Sequence, residues 1–349
     1  MLEFYIVKVL FFSALAFIFA ISVAPLLTHY LYKYKLGKKI RNSGDTPIFS
    51  GLHAHKEGTP TMGGILVWGT TFIFILFFSL LSTFFPWDIL KHLDFLSRSE
   101  TLLPLGALII TALIGWFDDW LDVRGKGVLG GGGLKLRHRL IIYTLIAIVG
   151  ALWFYFKLDW SVFRVPFLGN FEIGAWYIPL FIFIIVATSF SVNETDGLDG
   201  LAGGTLLIAF AAYGVIAFSL GRYELATFCG VIIGSLLAFL WFNIPPARFY
   251  LGDTGSMSLG VTLGIIAMLT NSSLLLIFIG FIFLIESISV IVQMLSKKIR
   301  GKKIFLSAPL HHHFQAIGWP EAKIVMRSWV VAGIGATIGL IIYLLDRKF

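Results

Sequence analysis

Residues 175–219 read AWYIPLFIFIIVATSFSV, NETDGLDG and LAGGTLLIAFAAYGVIAFS, and the alternation within this stretch is repeated along the chain. Its two apolar runs, 175–192 and 201–219, match the length of roughly 17–25 residues with which a helix crosses a bilayer. Helices satisfy their own backbone hydrogen bonds in lipid, so the runs predict two membrane-spanning helices. The turn that joins them is polar and rich in Asp and Gly.

The composition extends this interpretation to the whole chain. Of its 349 residues, 58% are hydrophobic and only 13% are charged, whereas a soluble domain carries roughly 25% charged residues. We therefore predict an all-α polytopic integral membrane protein with about ten transmembrane helices, forming a single bundle domain over residues 1–349. The predicted spans lie near 4–31, 62–85, 102–118, 139–156, 175–192, 201–219, 226–243, 255–270, 273–296 and 325–345.

The distribution of basic residues predicts the orientation. If the loop after the first span is cytoplasmic, 19 of the 27 Lys and Arg residues lie on the cytoplasmic side, as the positive-inside rule requires. Both termini are then expected outside. The net charge of +8 suits anionic lipid headgroups and anionic substrates, and no nucleic-acid partner is expected.

Three acidic motifs fall on this predicted cytoplasmic face: WFDDW at 116–120, NETDGLDG at 193–200 and LGDTGS at 251–256. The spans came from hydrophobicity and the orientation from Lys and Arg, so the convergence of these motifs is an independent observation. Carboxylates are costly near hydrocarbon and mark candidate functional sites. Their gathering predicts a site that holds a divalent cation and handles a charged group, which favours an enzyme.

The ends of the predicted helices refine this expectation. Asp118 and Asp119 close the third span at a helix C-terminus, where the helix dipole disfavours carboxylates, so they need a nearby cation. Asp253 instead precedes a span that starts on the same face. Free backbone N–H groups there favour a phosphate, and an Asp beside them can hold Mg²⁺, which prefers oxygen ligands.

Three further polar features have more than one interpretation. Asn193, Asp196 and Asp199 are spaced by three, so neighbouring pairs share a face if the segment is helical. The consecutive histidines at 311–313 fan out by about 100° each on a helix, which makes a poor tridentate metal site; phosphate or sugar contacts fit them better. Glu286, near the middle of a span, is interpreted as a buried partner of a neighbouring helix rather than a proton relay.

The chain resembles the phospho-N-acetylmuramoyl-pentapeptide transferases, within the wider polyprenyl-phosphate N-acetylhexosamine-1-phosphate transferase superfamily. The resemblance covers nearly the whole chain. The Asp motifs are typical of the superfamily, while the Pro-Thr-Met-Gly-Gly and triple-His stretches favour the muramoyl-pentapeptide branch. It rests on residues 59–64, 118–119, 193 with 195–200, 242–243, 252–253 with 255–256, 308–309 with 311–313, 318–321, 323–325 and 327.

That resemblance implies a ten-span, often dimeric fold and a Mg²⁺-dependent reaction in the bacterial inner membrane. UDP-N-acetylmuramoyl-pentapeptide and undecaprenyl phosphate would give lipid I and UMP. It also implies Asp253 as the Mg²⁺ ligand, Asp118 as the base for the lipid phosphate with Asp119 beside it, and Tyr250 stacking on uracil. The remaining implied substrate-binding residues are Lys56, Thr61, Asn193, Asp196, Asp199, Asn243, Gly252, His312 and His313.

Several positions depart from the family pattern, among them Glu194, where Leu is frequent, and the insertion at Gly130–Gly133. Asp122, Tyr250 and Gln315 stand where Lys, Phe and Glu are common. One alternative keeps the chemistry but uses UDP-N-acetylglucosamine. An alternative from another class is an ion-coupled transporter, whose sites should lie near the membrane midplane on broken helices.

Overall fold

The computed structural model describes residues 2–37, 58–85, 87–97, 100–125 and 133–347. Lys56 and residues 130–132 of the glycine insertion lie outside this part of the chain. Its α-helices are α1 (Leu2–Lys33), α2 (Ile65–Phe84), α3 (Asp88–Leu93), α4 (Leu102–Val123), α5 (Leu136–Lys157), α6 (Tyr177–Thr195), α7 (Leu201–Ser219), α8 (Tyr223–Asn243), α9 (Gly252–Leu269), α10 (Leu276–Ile279), α11 (Phe281–Arg300), α12 (Leu310–Ala316) and α13 (Glu321–Asp346).

The prediction of an all-α polytopic membrane protein is confirmed. Among the described residues, nine helices are long and apolar enough to cross a membrane, and a bent pair brings the number to ten. One small antiparallel hairpin, β1 (Val162–Val165) with β2 (Gly169–Glu172), precedes α6 and pairs Val162 with Glu172.

The ninth predicted span, 273–296, is wrong as a continuous helix. The segments Ser273–Ile279 and Phe281–Arg300 meet at an angle of 86° around Gly280. The run is apolar throughout, so hydrophobicity could not reveal a break. Only one glycine marks the position, and glycine is common in membrane helices.

Helix α9 lies at the centre of the bundle. Every one of its residues except Asp253 is buried. It packs against α4 on one side and α6 on the other, while α1 and α8 form a second closely packed pair. Small residues such as Gly260 and Gly264 allow the close approach of α6. The backbone of Ser189 lies over Gly260, and the side chain of Thr188 lies over Gly264. The first turn of α9 is thus held rigidly from several sides.

Candidate functional site

The first turn of α9 faces Asp119 of α4. The Asp119 carboxylate accepts hydrogen bonds from the backbone N–H groups of Asp253 at 3.1 Å and Thr254 at 3.0 Å. These N–H groups have no partner within their own helix, because the first four donors of an α-helix are free. The hydroxyl of Thr61 adds a third bond to Asp119 at 3.1 Å. Asp119 is therefore stabilised by a helix N-terminus.

The predicted position of the two α4 aspartates needs a correction. The third span was expected to end at residue 118, but α4 continues to Val123. Asp118 and Asp119 therefore lie more than one turn before the helix end, both buried. The expected cation exists for Asp118 and is Arg139 of α5, whose Nε donates to an Asp118 oxygen at 2.9 Å.

Arg139 joins three of the motifs through one side chain. Its remaining guanidinium nitrogens donate to Asn193 Oδ1 at 2.9 Å and to Asp253 Oδ2 at 2.5 Å. A planar guanidinium with five N–H donors can contact three acceptors at fixed angles, which an ammonium group cannot. Arg139 thus fixes the spacing between α4, α6 and α9 on this face.

From the sequence, Arg139 is predicted only as one basic residue of a loop, and its contacts with three motifs are not predicted. Three basic residues, Lys135, Arg137 and Arg139, alternate at the start of α5. The predicted span began at residue 139, so the rule that a charged group inside a span has a functional partner could have selected it.

Asn193, at the end of α6, completes the contacts of Asp253. Its amide donates to Asp253 Oδ1 at 2.6 Å and to the Ser256 hydroxyl at 2.9 Å. Asp196 follows in the turn and accepts the backbone N–H of Gly252 at 3.1 Å. Gly252 has a φ of +73°, and a Cβ there would lie 2.5 Å from oxygens of Asp119 and Thr61. Only glycine fits this backbone conformation and space.

The segment 193–199 is not helical throughout, so the condition under which neighbouring pairs of Asn193, Asp196 and Asp199 would share a helix face is not met. Helix α6 ends at Thr195, and Gly200 adopts a φ of +83°. The chain therefore turns, and Asp199 accepts the backbone N–H of Ala247 at 3.0 Å in the loop before α9.

Asn243, at the end of α8, is buried and has two hydrogen bonds within the protein. Its Oδ1 accepts from Gly200 N at 2.9 Å, and its amide donates to Phe249 O at 2.8 Å. These bonds hold the loop that carries Tyr250 against the turn after α6. As direct substrate contacts, Asn243 and Asp199 stay predictions.

Tyr250 lies beside the N-terminus of α9. Its backbone N–H donates to Pro60 O at 2.8 Å and its carbonyl accepts from Gly63 N at 2.7 Å, so the 60–63 segment supports it. Burial raises the pKa of the Tyr250 phenol to about 12. The ring is therefore neutral over the physiological pH range and offers a flat surface for stacking.

The three histidines point in different directions on the short helix α12. His311 is fully buried, His312 is almost buried with its Nδ1 at 2.9 Å from Gln315 Oε1, and His313 Nδ1 accepts the Leu306 N–H at 3.3 Å. The described residues contain no group of three or more His, Cys, Asp or Glu side chains arranged to hold a metal by themselves.

Three carboxylates nevertheless gather in this region. Asp118, Asp119 and Asp253 carry three negative charges against the single positive charge of Arg139, which leaves a formal charge of −2. Mg²⁺ is bound in proteins by one or two carboxylates, with water and substrate phosphate as the other ligands. Asp253, whose side chain is 15% exposed against 0% for Asp118, is the more accessible of the two carboxylates bonded to Arg139.

Comparison with known proteins agrees with this picture. A sequence model of Glycosyl transferase family 4 matches residues 101–271, and a phospho-N-acetylmuramoyl-pentapeptide-transferase signature matches residues 56–66. The chain is 40% identical over 333 residues to the phospho-N-acetylmuramoyl-pentapeptide-transferase of Geobacillus sp. (strain WCH70), covering 94% of this chain and 95% of that protein. For the enzyme of the same name from Anoxybacillus flavithermus, identity is 37%, covering 96% and 97%. For that from Chloroflexus aggregans it is 35%, covering 95% and 89%.

Proposed function

Because the chain belongs to the phospho-N-acetylmuramoyl-pentapeptide transferase family, we propose that it joins UDP-N-acetylmuramoyl-pentapeptide to undecaprenyl phosphate. The products are lipid I and UMP, in the first membrane step of peptidoglycan synthesis. One observation carries this proposal: Asp253 is the only residue of α9 that is not buried, and it lies where Asp118, Arg139 and Asn193 converge. A carboxylate at a helix N-terminus, inside an excess of negative charge, fits a site for a metal ion and a diphosphate.

The reaction is a phosphoryl transfer, which depends on positioning and charge neutralisation more than on covalent chemistry. In the direct route, an oxygen of the lipid phosphate attacks the β-phosphorus of the donor. A new phosphorus–oxygen bond forms, the bond to the α-phosphate oxygen breaks, and UMP leaves. Mg²⁺ held by Asp253 would neutralise charge on the diphosphate. Arg139, already bonded to Asp118 and Asp253, keeps these carboxylates in register for the transfer.

Asp118 is the residue proposed to take any proton from the lipid phosphate. It is fully buried, with its two oxygens bonded to Leu134 N at 2.5 Å and Arg139 Nε at 2.9 Å. Gly133 lies directly over the carboxylate. Asp118 therefore reaches a substrate only if Gly133 and Leu134 are displaced from it. The two-step route, with Asp118 as a covalent nucleophile, needs the same movement and would be revealed by a trapped phospho-sugar adduct.

The donor is proposed to lie beside the first turn of α9. Asn193, Asp196 and Thr61 line this region, and Gly252 lets the backbone come close to phosphate oxygens. Tyr250 would stack on uracil. The contacts proposed for Lys56, Asp199, Asn243, His312 and His313 carry over from the family resemblance.

The membrane placement follows from the distribution of charge. We propose the bacterial plasma (inner) membrane, with the Asp253 site facing the cytoplasm and both termini outside. Basic residues support this orientation, since the predicted loops on the Asp253 side contain most of them, as the positive-inside rule requires. A UDP-sugar is a cytoplasmic metabolite, so its site must open on that side. The proposed homodimer rests on the family resemblance alone.

The two alternatives are less well supported. A UDP-N-acetylglucosamine transferase would use the same carboxylates, but the three relatives described above are all named for the muramoyl-pentapeptide substrate. An ion-coupled transporter would need its polar groups at the midplane of broken helices. Here Asp118, Asp119 and Asp253 gather around the first turn of α9. The one acid in the broken pair, Glu286, has a hydrogen-bond partner in His311.

The test is UMP release by the purified protein in detergent, with undecaprenyl phosphate and Mg²⁺. UDP-N-acetylmuramoyl-pentapeptide and UDP-N-acetylglucosamine are compared side by side. We expect release with the muramoyl donor alone. Release only with UDP-N-acetylglucosamine would keep the chemistry but change the substrate, and no release with either donor from folded protein would contradict the proposal.

A further inference from the structure

Glu286 is an acidic residue inside the second half of the broken span. It lies in α11, six residues after the 86° bend, and is 3% exposed. Burying a carboxylate at such a position costs free energy unless it has a partner, so it indicates a functional or structural role. The motifs at the Asp253 site leave Glu286 without an assigned role.

The partner of Glu286 is His311, the first residue of the triple-His motif. One carboxylate oxygen, Oε2, accepts the backbone N–H of His311 at 3.1 Å and lies 3.0 Å from its Nδ1. A carboxylate oxygen can only accept, so Nδ1 carries a proton and donates it to this bond. The Nδ1–H bond orients the ring and sets its tautomer, as carboxylate partners do for functional histidines.

The other ring nitrogen of His311 faces the turn after α6. His311 Nε2 is buried and has no hydrogen-bond partner among the described residues. It lies against Gly197, where an added Cβ would be only 2.2 Å from it. No side chain larger than hydrogen fits between this turn and the imidazole, so the ring acts as a fixed support for Gly197.

Gly197 follows Asp196 in the chain, and the Asp196 carboxylate accepts a hydrogen bond from the Gly252 N–H at 3.1 Å. Gly252 begins α9 and precedes Asp253. Contacts therefore run without interruption from Glu286 to His311, to the 196–197 turn and to the first turn of α9.

We propose that Glu286 and His311 form a positioning pair that holds the Asp196–Gly197 turn, and through it Gly252 and Asp253, in the geometry that binds the UDP-sugar. The pair acts by hydrogen bonding and contact, and it transfers no proton. This inference rests on the proposed function for its substrate, but its structural claim concerns the contacts alone.

Two substitutions of Glu286 separate positioning from charge. Glu286→Gln keeps an oxygen that accepts both His311 bonds, whereas Glu286→Leu removes it. We expect Glu286→Leu to raise the KM for the UDP-sugar about tenfold or more, with a smaller change in kcat, and Glu286→Gln to stay close to wild type. Ser289→Ala is the matched control, because the Ser289 hydroxyl is buried on the same helix and donates to the Glu286 backbone carbonyl rather than to its carboxylate. Equal impairment by Gln and Leu, or a normal KM for Leu, would overturn the proposal.

A second experiment tests the contact with Gly197 and needs no substrate. Thermal unfolding is measured for Gly197→Ala, His311→Ala and the double variant. The added methyl group collides with the imidazole, so Gly197→Ala should destabilise the wild type strongly and the His311→Ala background much less. Additive effects would overturn the proposal. The ¹⁵N resonances of His311 should report a protonated Nδ1 and an unprotonated Nε2, and the reverse tautomer would also overturn it.

The kinetic experiment and the substrate-free experiments distinguish failure of the proposed function from failure of the positioning proposal. If wild-type protein released no UMP, the proposed function would fail, while the unfolding and NMR measurements would still test the Glu286–His311–Gly197 contacts. If Glu286→Leu does not fold, the double-variant cycle decides.

Discussion

Two arginine–carboxylate clusters lie at opposite ends of the helix bundle, and they differ in charge balance. Arg164, before α6, donates from Nε to Asp346 Oδ2 at 2.6 Å, and Phe167 N donates to the other Asp346 oxygen at 2.7 Å. One positive charge meets one negative charge. Arg139 instead meets both Asp118 and Asp253, with Asp119 beside them. The two clusters are separated by the length of α6, roughly 28 Å at 1.5 Å per residue.

The difference in charge balance distinguishes a cluster that stabilises the fold from one that can bind a ligand. The Arg164 cluster fastens the β1–β2 hairpin to the end of α13, and its charges are compensated within the protein. The Arg139 cluster keeps an excess of negative charge around a helix N-terminus. An excess of this kind is stable only when a cation or the helix end compensates it. Charge balance, more than burial, therefore indicates which of the two clusters binds a ligand.

The largest expected effect is at Asp253. Asp253→Asn removes the exposed carboxylate while keeping its shape, and we expect the rate of UMP release to fall by roughly 10²–10³ with the fold intact. The measurement is steady-state UMP release together with thermal unfolding. Asp346→Asn in the balanced cluster is the matched control and should leave the rate unchanged. A wild-type rate for Asp253→Asn would remove it from the site.

Arg139 should show the next largest effect. Arg139→Lys keeps the charge but cannot contact Asp118, Asn193 and Asp253 together. We expect a loss of activity of roughly tenfold or more for Lys and a greater loss for Ala, since Arg and Lys are not equivalent at multidentate sites. Arg164→Lys provides the comparison and should change stability only. Full activity of Arg139→Ala would show that the cluster does not need its guanidinium.

Tyr250 is expected to contribute through its ring alone. Tyr250→Ala should weaken donor binding about tenfold, in line with base stacking worth roughly 1–3 kcal/mol, and Tyr250→Phe should bind normally. Because burial raises the pKa of Tyr250 to about 12, the stability from the neutral phenol is complete below pH 10 and is lost as pH rises towards 12. The pH–rate profiles of wild type and Tyr250→Phe should thus coincide up to about pH 10. A divergence near neutral pH would assign the hydroxyl a role.

The smallest effect on activity is expected at the balanced cluster itself. Asp346→Asn weakens the pair with Arg164 and should lower the midpoint of thermal unfolding by roughly 2–4 °C, with donor KM and kcat unchanged. Unfolding in detergent and UMP release measure the two quantities. A strong loss of activity without loss of stability would mean that the two ends of the bundle are functionally coupled.

The sequence was sufficient for most of the spans and for the gathering of the three acidic motifs. Long apolar runs have few alternatives to helices in lipid, and acids such as Asp118 and Asp253 stand out against them. Asp253 could be placed at a helix start because Gly252 and the following apolar run mark that boundary. These features are local, so a single chain reveals them.

The pairing of side chains was not predictable in the same way. Gly280 looks like any other glycine in an apolar run, yet it bends the chain by 86° and brings Glu286 towards His311. The turn at Gly200 directs Asp199 away from Asn193. The choice of Arg139 over Arg137 depends on which face of α5 meets α6. Each outcome depends on tertiary geometry that sequence spacing does not contain.

The most direct test of the account is the metal dependence of UMP release from UDP-N-acetylmuramoyl-pentapeptide. Wild-type protein and Asp253→Asn are assayed with undecaprenyl phosphate across a Mg²⁺ titration and with EDTA. We predict that EDTA abolishes release by the wild type, that Mg²⁺ restores it, and that Asp253→Asn stays inactive or needs far more Mg²⁺. Release that persists in EDTA, or an unchanged Mg²⁺ requirement at the wild-type rate in Asp253→Asn, would contradict it.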